Sequence, residues 1–268
     1  MIGGVGSYLA VATTGASGAG TALPKVTIAM NGHSIKVGGA LVSGAVQVVM
    51  TTTNEPAGQC LLFRLNKGVT SAQAMRWANA HPNADLNAYG RFGSFVFDAG
   101  APKGRTTRVQ TVLQAADYIA FDVANPNPKQ EPHTTFTVAK SSKPATLPRA
   151  PRVRAIEFGF RGSAKLHRRS LVRFSNDGYL VHMIVGVHTR NDADARQVMK
   201  DLKAGKDRAA QQLALGFASF MGPVSHGAVQ QEVVRAPAGT WVLACFMDTQ
   251  DGREHTQLGM ERIIHITA

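Results

Sequence analysis

The sequence predicts an all-β protein: two tandem Greek-key β-sandwiches, each with a short helical insertion. Three observations predict it. Runs of Val, Thr, Ile and Phe alternate with polar residues and are bounded by Gly, Pro and Asn, as in short strands with one buried face. The chain repeats itself at a nearly constant offset. Between the repeats, residues 140–152 hold Pro144, Pro148 and Pro151 among Ser, Lys and Arg, which is linker composition.

The repeat can be followed element by element. Residues 54–63 parallel 176–185 at an offset of 122, and residues 112–121 parallel 235–244 at an offset of 123. Each opening segment leads into a helix-forming patch, Ser71 to Ala78 in the first copy and Asp194 to Leu202 in the second. These patches predict helices over about 70–80 and 192–204. Asp192 or Asp194 would cap the second helix and Gly205 would end it. A Gly-rich segment with Phe95 or Phe220 follows, and then the closing strands. The organisation expected is a leader-like or flexible tail over 1–23, one domain over 24–139, a linker over 140–152 and a second domain over 153–268.

Composition limits the function classes. With 268 residues and 44% apolar content the chain can form one large or two modest cores. No stretch approaches 18 consecutive apolar residues, so no membrane span is expected. The start of the chain is apolar and small, but no Lys or Arg precedes Lys25, so the charged head of an export signal is missing. The net charge of +12 is spread out: +4 over 1–138, +3 over 139–151 and +5 over 152–268. A nucleic-acid binder concentrates such charge on one element with interleaved aromatics. The cluster from Lys165 to Arg173 reads as a solvated strand face. A basic surface suits an acidic partner.

The chemistry lies near the C-terminus. The apolar run Thr240-Trp241-Val242-Leu243-Ala244 reads as a buried strand and ends at Cys245. After nine intervening residues comes His255, and after four more Met260. A second imidazole, His182, lies upstream, after Asn176 in a turn-forming segment. Two His, one Cys and a weak Met form the donor set that suits copper in an electron-transfer site. The sulfurs favour Cu(I), and the imidazoles accept either oxidation state.

Residues 153–268 therefore resemble the cupredoxins, the blue (type 1) copper proteins. In that family the first His follows an Asn-containing turn, and the Cys, second His and Met come from the loop between the last two strands. Asn176 and His182 match the first element; Cys245, His255 and Met260 match the second. The gap between Cys and His is longer than in small blue copper proteins. It is similar to that of the type 1 site in copper nitrite reductases, as is the spacing of His and Met. The resemblance implies two cupredoxin-like domains, a single copper ion held by His182, Cys245, His255 and Met260, and one-electron transfer to a redox partner. It also implies an extracytoplasmic location. His255 is expected near the surface, as the exit for the electron. No His-x-His or His-Cys pair occurs, so an electron carrier is implied rather than an oxidase or reductase with a catalytic copper.

At the same positions the first copy offers Cys60 for His182, Asp122 for Cys245, His133 for His255 and Val138 for Met260, so it is expected to bind no copper. Three other readings stand beside this one. Cys245 and His255 could form a nucleophile–base pair oriented by Glu254 or Asp251. Cys60, Asp122 and His133 could hold zinc. A tandem β-sandwich without metal could serve as a binding or adhesion module. The two cysteines are either free thiols or one Cys60–Cys245 bridge. The run Asp248 to Glu254, with Asp251-Gly252 at its tip, reads as a turn.

Overall fold

The computed structural model describes residues 22–124 and 131–268. Most of the tail expected over 1–23 lies outside them. The chain divides into two compact units: one runs to Arg149 and takes in Ala228–Gln230, and the other comprises Ala150–Gly227 and Gln231–Ala268.

The first unit has β1 (Lys25–Met30), β2 (Ile35–Gly39), β3 (Gly44–Thr52), β4 (Ala57–Leu65), α1 (Ser71–Ala80), β5 (Gly93–Pro102), β6 (Thr106–Leu113), β7 (Ala116–Asp122) and β8 (His133–Val138). Its two sheets run β6-β3-β1-β2 and β5-β4-β7-β8. Strict alternation in β1, with Val26, Ile28 and Met30 inward, fills a core shared with Val48, Met50, Leu62, Phe97 and Tyr118. Cys60 is part of that core. The Pro-rich stretch up to Arg149 falls in this unit: Ala45 N–H donates to the Ala145 carbonyl at 2.8 Å, and Ser141 N–H to Ser43 Oγ at 2.9 Å.

The second unit has β9 (Arg152–Ile156), β10 (Gly159–Gly162), β11 (Lys165–His167), β12 (Leu171–Asn176), β13 (His182–Thr189), α2 (Asp192–Lys203), α3 (Asp207–Leu213), β14 (Gly216–Val224), β16 (Gly239–Ala244) and β17 (Glu261–Thr267), with β15 (Val229–Val233) between β14 and β16. One sheet runs β11-β17-β16-β13-β14, and β10-β9-β12 form part of the other layer. Both units are β-sandwiches. Their pairing is not wholly antiparallel: β1 runs parallel to β3, β9 to β12, and β11 to β17. Such pairs join strands separated by a crossover in the chain, which a period-two pattern cannot reveal.

Helix α2 explains why β16 is apolar from Trp241 to Ala244. Ala195, Val198 and Leu202 recur at helical spacing and pack on Val187, Val242 and Ala244. The helices cover the outer face of the sheet, so β16 is buried on both faces and cannot alternate. The N-cap is Asn191, not Asp192 or Asp194; its side chain accepts the N–H groups of Ala193 and Asp194 at 2.9 and 3.0 Å. The two aspartates sit in the first turn and favour the positive end of the helix dipole. Gly205 follows the last turn with a φ of 67°. Helix α3 was not foreseen, because its seven residues show no clear period.

Asn191→Ala should cost about 1 kcal/mol of stability by leaving two helix donors without a protein acceptor. The midpoint of urea unfolding measures it, and an unchanged midpoint would show the cap to be idle.

Candidate metal centre

The ends of two neighbouring strands and the loop that follows the second build the centre. β13 and β16 pair antiparallel, with Val185 opposite Ala244. The start of one therefore lies beside the end of the other. His182 is the first residue of β13, and Cys245 directly follows the last residue of β16. The chain then forms a small side loop. Asp248 and Glu254 bridge across it, Thr249 and Arg253 pair at 2.8 Å, and Gly252 takes a φ of 80° at the tip. This is the turn expected over 248–254. It closes the long gap by returning His255, whose N–H donates to the Met247 carbonyl at 2.8 Å. A 3₁₀ turn, His255–Leu258, follows and ends at Gly259 with a φ of 88°. Met260 N–H donates to the His255 carbonyl at 2.9 Å, so the thioether and the imidazole share one turn.

Three donors converge. His182 Nδ1 lies 3.1 Å from His255 Nδ1, and Cys245 Sγ lies 3.7 and 3.3 Å from these two atoms. Among the described residues this is the one set of three His, Cys, Asp or Glu side chains with all donor atoms within 4.8 Å of one another. The circle through points 3.1, 3.3 and 3.7 Å apart has a radius of about 2.0 Å, close to a metal–nitrogen bond length. A point slightly nearer the imidazoles leaves the longer distance that a metal–sulfur bond takes. All three residues, and Met260, are fully buried.

The electrostatics suit a metal more than a free thiol. Burial pushes the Cys245 thiol up to about 12, with the N–H groups of Met183 and Met247 pulling the other way. The Met183 N–H reaches the sulfur at 3.4 Å. A buried thiol of this kind is a poor nucleophile, which argues against the nucleophile–base reading. Burial, then the neighbouring His255, draws the His182 pKa down to about 4 against a smaller pull from Glu157. His182 is therefore neutral near pH 7, as a ligand must be.

Asn176 fastens the loop that precedes His182. Its side-chain amide donates to the carbonyls of Leu180 and Val224, both at 2.7 Å, and its oxygen accepts Gly178 N–H at 2.9 Å. Two residues that sequence reasoning missed complete the surroundings. Glu157 Oε1 accepts the N–H groups of Tyr179 and Leu180 and lies 3.6 Å from His182 Nε2. The Phe158 ring meets His255 edge-on, with centroids 5.4 Å apart. Between Ile156 and Gly159 these two residues read only as a hairpin turn, so the sequence held no signal for them.

His255 is not at the surface as expected. Its relative exposure is 0%, against 36% for Phe158, whose ring packs on it. The two cysteines are both free, so no Cys60–Cys245 bridge exists.

The strand ladders also correct the comparison with the first copy. Phe121, which precedes Asp122, faces His133. Ala244, which precedes Cys245, faces Glu261. His133 thus corresponds to Glu261 rather than to His255. Likewise Val138 faces Ala116, while Gly239 faces Ile266, so Val138 does not correspond to Met260. The loop after β16 is longer than the loop after β7, and a constant offset fails beyond it. Cys60 and Asp122 face each other on β4 and β7, whereas His133 is exposed, so the zinc reading gains no support.

No helix among the described residues is long and apolar enough to cross a membrane. No family model matches the chain, and no curated protein matches it. Solved structures similar to it include auracyanin B, at 20% identity, covering 46% of this chain and 94% of that one, with a TM-score of 0.27. Auracyanin A from Chloroflexus aurantiacus, described as a "blue" copper protein, is 16% identical over 43% of this chain and 96% of its own, with a TM-score of 0.26. An azurin from Methylomonas sp. strain J is 14% identical over 44% of this chain and 96% of its own, also with a TM-score of 0.26.

Because His182 is held neutral when folded, it binds a proton more readily when unfolded. Its contribution to stability is thus present above about pH 6.5 and is lost as the pH falls toward about 4. Buried Asp98, raised to about 7 by burial, titrates in the opposite sense, so the comparison must isolate His182. The stability of the metal-free protein relative to His182→Gln should fall between pH 6.5 and 4 in urea titrations. A difference that is flat with pH would contradict this.

Proposed function

We propose that the chain is a one-electron transfer protein with a single copper ion in its second unit, which His182, Cys245 and His255 would hold with Met260 as a weak fourth donor. The observation that carries the reading is the convergence of two imidazole nitrogens and one sulfur on one buried point. A His₂Cys set with a weak thioether is the donor set of blue copper electron-transfer sites. A metal-free binding module gives no reason for these donors to meet. When bound, the ion supplies a reversible Cu(II)/Cu(I) couple.

The chain's own groups do the rest. Cys245 surrenders a proton on loading, since its thiol is otherwise held at about 12. His182 is already neutral near pH 7 and need give up no proton. The sandwich core and α2 fix β13 and β16, so the donors need not move when the charge changes. Burial of every donor keeps water from the site. In the first unit Asp122 stands where the thiolate would be, and we read that unit as structural. The net charge of +12 favours encounter with an acidic redox protein, and the donor set fits an extracytoplasmic protein. On this reading the domains are 24–139 and 153–268.

Adding Cu(II) to the metal-free protein at pH 7 should give one bound ion per chain, a visible thiolate-to-copper band and the release of about one proton per ion. Cys245→Ser should abolish the colour. Met260→Leu should keep it and raise the reduction potential, because losing a thioether disfavours Cu(II). No colour, or colour that survives Cys245→Ser, would overturn the assignment.

A further inference from the structure

The hairpin between β9 and β10 has two residues at its tip, Glu157 and Phe158, between the paired Ile156 and Gly159. Turn chemistry alone does not account for them. Phe158 has a φ of 53°, a region where Gly, Asn or Asp normally sits. A bulky residue there is strained unless something compensates. The compensation lies at the metal point, where the ring packs edge-on against His255 and shields it.

Its neighbour serves the other imidazole. The Glu157 carboxylate ties down Tyr179 and Leu180 in the loop leading to His182, and it faces His182 Nε2 at 3.6 Å. That distance is an ion-pair contact rather than a hydrogen bond, and a carboxylate charge beside Nε2 favours the tautomer with its proton there, which leaves the Nδ1 lone pair free for an ion. The contact has been given room. A Cβ on Gly178 would lie 2.7 Å from both Glu157 Oε1 and His182 Nε2. A side chain at 178 would have to push one of the two aside.

We propose that the Glu157–Phe158 turn is the outer wall of the metal centre: Glu157 positions His182 and biases the reduction potential with its charge, and Phe158 seals His255 from solvent. The proposal rests on the copper reading for the potential, and on the described side chains alone for the tautomer and the seal. A carboxylate beside a ligand stabilises the more positive Cu(II) state, so its loss raises the potential.

The test has a metal-free arm and a copper arm. In the metal-free protein, nitrogen NMR should find His182 with its proton on Nε2 and its Nδ1 bare. Glu157→Ala should give a mixture of tautomers. Hydrogen exchange at the His255 ring carbon should be slow, accelerate at least tenfold in Phe158→Ala and be restored by Phe158→Leu. In the copper protein, Glu157→Gln keeps an oxygen for Tyr179 and Leu180 but removes the charge. It should raise the potential without lowering the melting temperature, and Phe158→Ala should speed copper loss to a chelator at least tenfold with the colour retained. If the wild-type tautomer and ring exchange match their variants, the wall is refuted whatever metal is bound. If the metal-free results hold but wild type takes up no copper, the copper reading fails and the positioning role stands. An unchanged potential in Glu157→Gln refutes the electrostatic role, since a residue that only fastens the loop would leave it unmoved as well.

Discussion

The pairing of β13 with β16 is the constraint on which the centre depends. Two antiparallel strands with Val185 opposite Ala244 leave the residue that opens one next to the residue that follows the other. The backbone ladder brings His182 and Cys245 together before any side chain is chosen. Burial then makes the arrangement consequential. A thiol and two imidazoles enclosed by protein have lost their water, and a metal ion is a partner that can satisfy all three at once.

The second unit meets this need with unequal means. Asn176 and Glu157 hold the His182 side through hydrogen bonds to a short loop. The Cys245 side rests on packing, with Val242 and Ala244 pressed between the sandwich core and α2. His255 depends on neither strand. It is returned by a loop bridged at Asp248 and Glu254 and fixed by its N–H to Met247. One donor is thus set by polar contacts, one by core packing and one by loop closure.

This division explains what the sequence revealed. Cys245 was legible because it ends an uninterrupted apolar run, and His182 because it follows an Asn-bearing turn into a strand. The two helices beginning near residues 71 and 192 were legible from their periodicity. The burial of His255 was not, because its cover comes from Phe158, far upstream, in a turn with no distinguishing composition. The parallel pairs were hidden because alternation marks a strand and not its neighbour. The comparison between copies failed at His133 and Val138, because the loop after β16 is longer than the loop after β7 and a constant offset cannot cross it.

The loop between Cys245 and His255 has one further consequence. Its two ends are joined by their own backbone bonds at Thr249 and Arg253, and its tip, Asp251-Gly252, is exposed. The donor geometry is therefore insulated from whatever lies beyond that bridge. The tip is a natural attachment point, close to the centre but mechanically decoupled from it. A peptide tether or an electrode linker inserted there would leave the three donors in register and bring a conducting surface close to them.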